Sequence, residues 1–248
     1  MVETFEEKES YSLWSVNLND LKNPYKEEEK EDVKMEVEVS NKINFEFREI
    51  LLSSDIMSDC YASGYAKIGN TEVLAYLDAP QFMDEGTGFD QKIVRFKLDA
   101  DYKDELIDIP RIFYAVLREP NRTIKYKVNI IVKENDGGLL TAAILAVNIA
   151  LMKASIQLSD IVVVVTIGVV KGTEEIVVDP DMKTIKKCCV TLDYGICPSL
   201  NMVVLLDQIG CSKTFNNKKL RDLGHRACII LKKKVFDQLP SLFKSNDK

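Results

Sequence analysis

Apolar and polar positions follow short, regular periods over most of the chain beyond residue 44. Period-two patterns rich in β-branched side chains predict strands at residues 61–68, 72–78, 92–98, 124–132, 161–170, 176–178, 188–192 and 202–207. Helical spacing predicts helices at 104–117, 139–155 and 217–238, and the second of these is apolar on nearly every side, which predicts burial. Sheets with helices packed on them form an α+β domain.

Residues 1–40 have a different character, with many acidic positions and few candidate core positions. We expect an acidic N-terminal extension over 1–40 and one domain over 41–248. Within the extension, Val33, Met35, Val37 and Val39 alternate with polar residues, a pattern that predicts a strand laid on a sheet edge or a partner. A solvated tail is the alternative interpretation.

The composition is that of an ordinary globular protein, with 46% hydrophobic and 29% charged residues. The longest apolar run, residues 161–170, is far shorter than the ~18 residues that a membrane span needs. The acidic start of the chain does not resemble a targeting signal, so an intracellular protein is expected. The six cysteines form no C-x-x-C pair and His225 is the single histidine, so we predict reduced thiols and no metal site.

The net charge is −6 and the isoelectric point is about 5.1. A free-standing nucleic-acid-binding protein is expected to be basic, because neutralising phosphates supplies much of its affinity. The isolated chain is therefore expected to bind nucleic acid weakly, and any such role needs partners that add positive charge.

Three segments carry a family resemblance. Residues 62–74 read ASGYAKIGNTEVL and lead to Pro80, residues 132–138 read VKENDGG ahead of a helix and IQLSDI, and residues 179–201 run from DP to PSLN. In this order they resemble the opening hairpin, the Gly-Gly block and the acidic block of the RNase PH family. The resemblance covers roughly residues 44–239.

The resemblance implies an α+β RNase PH-like fold with mixed sheets and packed helices. The family contains phosphorolytic exoribonucleases and the subunits of the RNA exosome ring. The short connection between residues 170 and 179 resembles the ring subunits related to the archaeal catalytic subunit. Implied partners are other RNase PH-like ring subunits, RNA-binding cap subunits and single-stranded RNA, but no membrane. The implied cellular location is the nucleus, including the nucleolus, together with the cytoplasm. The resemblance leaves open which position in the ring the chain occupies.

The family's phosphate site is substituted in this sequence. Active members carry a Thr-Arg pair directly after Gly-Gly, whereas here Leu139 and Leu140 follow Gly137 and Gly138. Neither leucine can donate a side-chain hydrogen bond or carry charge, and the two glycines keep only a backbone role as a structural loop. The family's second phosphate-directed arginine lies in a stretch where this chain has Lys103 as its only cation.

The acidic half of the site is substituted as well. Ile185 and Thr191 occupy the positions of the family's aspartates, and the neighbouring family glutamates fall on Lys183, Thr184 and Cys189. Asp179, Asp181 and Asp193 remain, at positions that suit turns and caps. The resemblance therefore implies no catalytic residue and no cofactor in this chain. Phosphate and Mg²⁺ are expected to bind only if an active site exists elsewhere in the chain.

Candidate RNA contacts lie on the strand that faces the pore in related rings. Arg95 and Lys97 are two residues apart and share a strand face, with Phe96 opposite. Lys103 and Arg111 are weaker candidates, and ordinary surface charge is the alternative for all four. Lys183, Lys186 and Lys187 could attract phosphate or contact a neighbouring subunit, and His225 is interpreted as a surface or interface residue.

Three functions of different class stay open. The first is a non-catalytic exosome ring subunit that supports 3′-to-5′ RNA processing and degradation. The second is an active phosphate-dependent exoribonuclease with a displaced site around Lys103, Asp179 and Asp181. The third is a self-associating homo-oligomer without a role on RNA.

Overall fold

Two β-sheets with helices between and upon them make up the part of the chain that the computed structural model describes. That part comprises residues 45–82, 94–118, 124–173, 175–211 and 217–243. The predicted extension over residues 1–40 and its alternating strand lie outside these residues. Asn44–Lys248 form one compact unit.

The first sheet has six strands: β1 (Ile50–Ser54), β2 (Ala62–Ile68), β3 (Thr71–Leu77), β4 (Gln81–Phe82), β5 (Val94–Lys97) and β6 (Ile124–Glu134). The order is β1-β2-β3-β6-β4, with β5 also paired to β6. All pairs are antiparallel except β5 with β6, which is parallel. The predicted hairpin between β2 and β3 is confirmed, and Gly69 provides the positive φ of its turn.

The second sheet has four strands, β7 (Val163–Val170), β8 (Ile176–Val178), β9 (Cys188–Cys197) and β10 (Met202–Gly210). Their order is β10-β9-β7-β8, and every pair is antiparallel. β10 therefore lies at one edge of this sheet and β8 at the other.

Four helices complete the described fold: α1 (Ile109–Val116), α2 (Leu139–Lys153), α3 (Met182–Ile185) and α4 (Asn217–Leu242). As predicted, α2 is buried along nearly its whole length, because it packs on β2 and β3 of the first sheet and on β7 of the second. Gly64 permits this approach, since a Cβ there would lie 2.6 Å from the main-chain nitrogen of Ala150. On the opposite face of the second sheet, α4 packs against β7 and β9.

The structure confirms the predicted α+β class, and corrects several boundaries. The predicted helix at 104–117 begins only at Ile109, and residues 101–108 form turns. Pro110 explains the late start, because proline lacks a backbone N–H and is accommodated in the first turn of a helix. Both β9 and β10 are longer than predicted, since they pair with each other along almost their full length.

Within the described residues, no helix is long and apolar enough to cross a membrane. The charge along the chain is uneven. Met1–Ile43 hold 12 of the 39 acidic side chains and 6 of the 33 basic ones, so Asn44–Lys248 hold 27 of each. The negative excess therefore belongs to the N-terminal segment, and the domain itself is formally neutral.

Candidate functional site

A cleft of about 480 Å³ opens where the N-terminus of α2 meets the second sheet. Its walls come from the turns before α1, the loop before α2, helix α3 and strands β7, β9 and β10. The lining side chains are mainly apolar or acidic. They include Ile107, Leu139, Leu140, Met182, Ile185, Ile209, Asn135, Thr166, Thr191, Asp104, Glu105, Asp108, Asp193 and Asp207.

All four substituted family positions meet in this cleft. Leu139 and Leu140 are the first two residues of α2 and are buried, whereas Ile185 ends α3 and Thr191 lies in β9. These residues come from three separate elements, and only the fold brings them together. The cleft thus occupies the place where the resemblance puts the family's phosphate and acidic groups.

The cleft is electrostatically unsuited to an anion. Five carboxylates line it, those of Asp104, Glu105, Asp108, Asp193 and Asp207. None of the described lining residues is a lysine, arginine or histidine. A phosphate held there would meet several negative charges with no side-chain cation to offset them.

Asp193 is the most perturbed group of the cleft. It lies in the middle of β9, so the expected turn or cap role is wrong for this residue. Burial raises the pKa of its carboxyl to about 6, and the charge of Asp207 adds to this effect. The Thr166 hydroxyl donates a hydrogen bond to the carboxylate and opposes the shift.

An arginine that sequence reasoning missed holds the loop ahead of α2. The guanidinium of Arg48 donates to the carbonyl oxygens of Asp136 at 2.9 Å and Gly137 at 3.0 Å. It also donates to both carboxylate oxygens of Asp179, at 2.7 and 3.0 Å. The backbone N–H of Arg48 donates to the same carboxylate at 3.1 Å. No motif of the chain pointed to Arg48, because its partners are about 90 and 130 residues away.

The backbone conformation of the loop explains why residues 137 and 138 are both glycine. Gly137 and Gly138 have φ values of 89° and 65°, in the left-handed region that favours glycine. A Cβ on Gly137 would lie 2.6 Å from the Pro180 carbonyl oxygen, and one on Gly138 would lie 2.8 Å from Nη2 of Arg48. This loop therefore packs directly against the start of the substituted acidic block.

Asp179 and Asp181, the other two aspartates of the acidic block, stabilise the local backbone conformation. Asp179 has a φ of 53°, and its buried side chain forms an ion pair with Arg48. Asp181 caps α3 by accepting a hydrogen bond from the Thr184 N–H at 2.8 Å. Hydrogen bonds from the side chain and backbone of Thr184 lower the pKa of Asp181. Neither aspartate lines the cleft.

The described residues also contain no cluster of three histidine, cysteine, aspartate or glutamate side chains that could hold a metal ion. The six cysteines are free thiols.

The predicted RNA strand is β5, and its two cations lie on the exposed face. Phe96 points the other way and stacks on Phe113 at 5.8 Å between ring centroids. Parallel pairing with β6 sets Arg95 directly beside Lys127, and Lys97 beside Asn129. Lys127 was missed because the β5–β6 pairing cannot be inferred from local patterns.

Two weaker candidates are placed differently. Lys103 is exposed within the turns at residues 101–108, and Arg111 is an exposed side chain of α1 that forms an ion pair with Asp108 at 2.8 Å. Neither lies on the face that carries Arg95. Lys183, Lys186 and Lys187 are exposed on and after α3. His225 is half-buried and its ring packs edge-on against Tyr194.

Comparisons with known proteins agree with this fold. Residues 46–157 match the RNase PH family model described as the 3′ exoribonuclease family, domain 1. A search of curated proteins finds no match.

Among solved structures, rice (Oryza sativa) Rrp46 superposes with a TM-score of 0.68 at 16% identity, covering 81% of this chain and 97% of that one. An archaeal exosome core gives 0.56 at 18% identity, with 84% and 96% covered. The Archaeoglobus fulgidus exosome with RNA bound to the active site gives 0.58 at 19% identity, with 82% and 98% covered. These likenesses confirm the predicted RNase PH-like fold.

Proposed function

We propose that this chain, whose residues 46–157 match the RNase PH family model, is a non-catalytic subunit of an RNA exosome ring. In this role it supports 3′-to-5′ RNA processing and degradation by completing the ring and lining the path of the RNA. Its partners are other RNase PH-like subunits and RNA-binding cap subunits, in the nucleus, the nucleolus and the cytoplasm.

One observation carries the proposal. The cleft where the resemblance puts the family's phosphate has Leu139 and Leu140 at the helix end and five carboxylates around it, and its described lining residues include no cation. Phosphorolysis requires an inorganic phosphate beside the phosphodiester of the RNA, and cations or N–H donors must offset the repulsion between them. The five carboxylates of the described lining repel both reactants.

The alternative of a displaced active site has little support. Lys103 is an exposed turn residue, and the carboxylate of Asp179 is already saturated by three donors of Arg48. Asp181 is engaged as a helix cap. Withdrawing Asp179 or Asp181 for catalysis would leave the loops around α2 and α3 without their anchors.

A role on the RNA path is supported by the face of β5 and β6. Arg95, Lys97 and Lys127 lie on the same exposed face of two adjacent strands. Cations that share one exposed face are suited to contact the phosphates of a bound RNA strand. Asp78 is the nearby carboxylate, and it pairs with Lys127 at 3.2 Å.

The experiment is a phosphorolysis assay on a 5′-labelled single-stranded RNA with phosphate and Mg²⁺. The purified chain is expected to release no nucleoside diphosphates, whereas an active RNase PH enzyme assayed in parallel shortens the RNA. Phosphate-dependent shortening by the chain that is lost in Asp181→Ala or Asp193→Asn would overturn the proposal.

Restoring the family pair provides a second test. The double variant Leu139→Thr/Leu140→Arg is expected to remain inactive, because Ile185 and Thr191 still occupy the positions of the acidic groups. Binding of inorganic phosphate by the variant, followed by calorimetry, separates a repaired anion site from repaired catalysis. Activity in this variant would show that the rest of the cleft is competent.

A further inference from the structure

Three large apolar side chains are exposed at regular spacing along the C-terminal helix. Ile229 and Phe236 of α4, and Phe243 directly after it, are 43%, 43% and 41% exposed. Residues that are seven apart lie on one face of a helix, two turns from each other. These side chains therefore form an exposed apolar stripe, which we call the outer stripe of α4.

Positive charge is concentrated on the same helix. Although the domain is formally neutral, α4 contains seven basic side chains and two acidic ones. The basic residues are Lys218, Lys219, Arg221, Arg226, Lys232, Lys233 and Lys234. Lys232 and Lys233 lie beside the outer stripe, because they are three and four residues after Ile229. The Nζ of Lys232 also lies 5.4 Å from the ring centroid of Phe236. An acidic segment with apolar side chains is complementary to this surface.

The chain itself carries a segment of this composition. Residues 27–39, which lie outside the described residues and are called the acidic segment below, contain seven acidic and two basic side chains. Their apolar members are Val33, Met35, Val37 and Val39. The acidic segment therefore offers carboxylates to the lysines of α4 and apolar side chains to the outer stripe.

The first described residues lie next to α4. The Nζ of Lys234 lies 5.4 Å from the ring centroid of Phe47, and Nε2 of Gln238 donates a hydrogen bond to the Ile50 carbonyl oxygen at 3.0 Å. Glu38 is nine residues before Phe47, a separation that an extended chain can stretch to roughly 30 Å. The outer stripe spans about 21 Å along the helix axis, so the acidic segment is long enough to reach it.

We propose that the acidic segment binds the outer stripe of α4 in the same chain. Exposed ion pairs are individually weak, and the covalent connection compensates for this by raising the effective concentration of the segment. A second copy of α4 is a poorer occupant, because its lysines would face lysines. The bound segment shields the lysines of α4 from other anions. This inference does not depend on the ring function, since it concerns the chain by itself.

The first test is carbodiimide cross-linking of the full chain, which joins carboxylates to amines that are in contact. A mixture of ¹⁵N-labelled and unlabelled chain distinguishes cross-links within one chain from those between two chains. Mass spectrometry is expected to find cross-links within one chain from the acidic segment to Lys232 and Lys233. Their yield should fall by about fivefold or more at high salt, because salt screens exposed charges.

The second test is the rate at which a glutamate-specific protease cleaves the full chain after Glu36. Lys232→Glu/Lys233→Glu is expected to speed this cleavage by about fivefold or more, because the reversed charges repel the acidic segment. Phe236→Ala should also speed it, because the segment loses an apolar contact. Circular dichroism of each variant verifies that the exposed substitutions leave the fold intact.

A matched control exists near α3. Lys186 and Lys187 are adjacent exposed lysines, on the other side of the second sheet from α4. Lys186→Glu/Lys187→Glu makes the same change in net charge and is expected to leave the cleavage rate after Glu36 unchanged.

Three outcomes would overturn the inference. Equal cleavage rates in the unmodified chain, the α4 variants and the control would show that α4 does not bind the segment. Cross-links that form only between chains would show that the segment binds a second copy. Faster cleavage after addition of equimolar single-stranded RNA would show that RNA is the favoured occupant of α4. None of these outcomes bears on the ring function, because none measures assembly or phosphorolysis.

Discussion

Asp193 and Asp207 lie opposite each other on β9 and β10, and both line the cleft. Like charges in directly opposed positions destabilise a sheet. Burial is the larger cause of the raised pKa of Asp193, and Asp207 contributes to it. The cleft therefore holds one carboxyl that takes up a proton far more readily than an ordinary aspartate.

Asp193→Asn is expected to stabilise the domain at neutral pH. Because the pKa of Asp193 in the folded state is about 6, above its ordinary value of 3.8, the free energy of unfolding falls as the pH rises through this interval. The variant should therefore have a free energy of unfolding about 2 kcal/mol higher than that of the unmodified chain at pH 7.5, and nearly the same at pH 4. Urea unfolding at the two pH values measures it. Asp222→Asn, on the exposed side of α4, is the control, and an equal gain for Asp193→Asn at both pH values would contradict the explanation.

Arg48→Met is expected to destabilise the domain strongly. The side chain of Asp179 is only 4% exposed, so losing Arg48 leaves a buried carboxylate without its cation. Breaking a buried ion pair from one side costs about 3–5 kcal/mol. Arg111→Met breaks an exposed pair and should cost less than about 1 kcal/mol. In denaturant unfolding, the double variant Arg48→Met/Asp179→Asn should lose less than the sum of the two single variants, and additive losses would refute the coupling.

Gly137→Ala and Gly172→Ala form a matched pair. Both glycines have φ near 90°, but a Cβ on Gly172 meets nothing within 4 Å, whereas one on Gly137 meets the backbone of residues 180–182. The backbone strain of about 1–2 kcal/mol applies to both, and the clash applies to Gly137 alone. Thermal unfolding should show a clearly larger loss for Gly137→Ala. Equal losses would mean that the loop moves away from Pro180 freely.

Arg95→Ala/Lys97→Ala is expected to weaken the binding of single-stranded RNA by the assembled complex. Each lost phosphate contact also lowers the salt dependence of binding, by about 0.7 in the slope of log K against log salt concentration. Fluorescence anisotropy at several salt concentrations measures both effects. Lys233→Ala, an exposed lysine of α4, is the control and should change neither. An unchanged slope in the double variant would show that Arg95 and Lys97 do not contact RNA phosphates.

The local pattern of the chain predicted much of the fold. The apolar period of α2 and the β-branched run of β7 each depend on neighbouring residues, and both elements lie near their predicted places. The predicted start of the first helix at residue 104 is wrong, because Pro110 lacks a backbone N–H and is accommodated in the first turn of a helix. The family motifs likewise identified Leu139, Leu140, Ile185 and Thr191 as substituted positions.

By itself, the sequence therefore determined the α+β class and most of the elements, and it predicts that the family's catalytic residue types are substituted. Only the tertiary structure decided that these positions share a cleft with carboxylates from residues 104–108, β9 and β10. It alone revealed that Arg48 anchors the glycine loop and that Lys127 lies beside Arg95. The reason is physical, since each of these features depends on strand pairing, burial or charge between residues far apart in the chain, and local periodicity carries no information about such pairs.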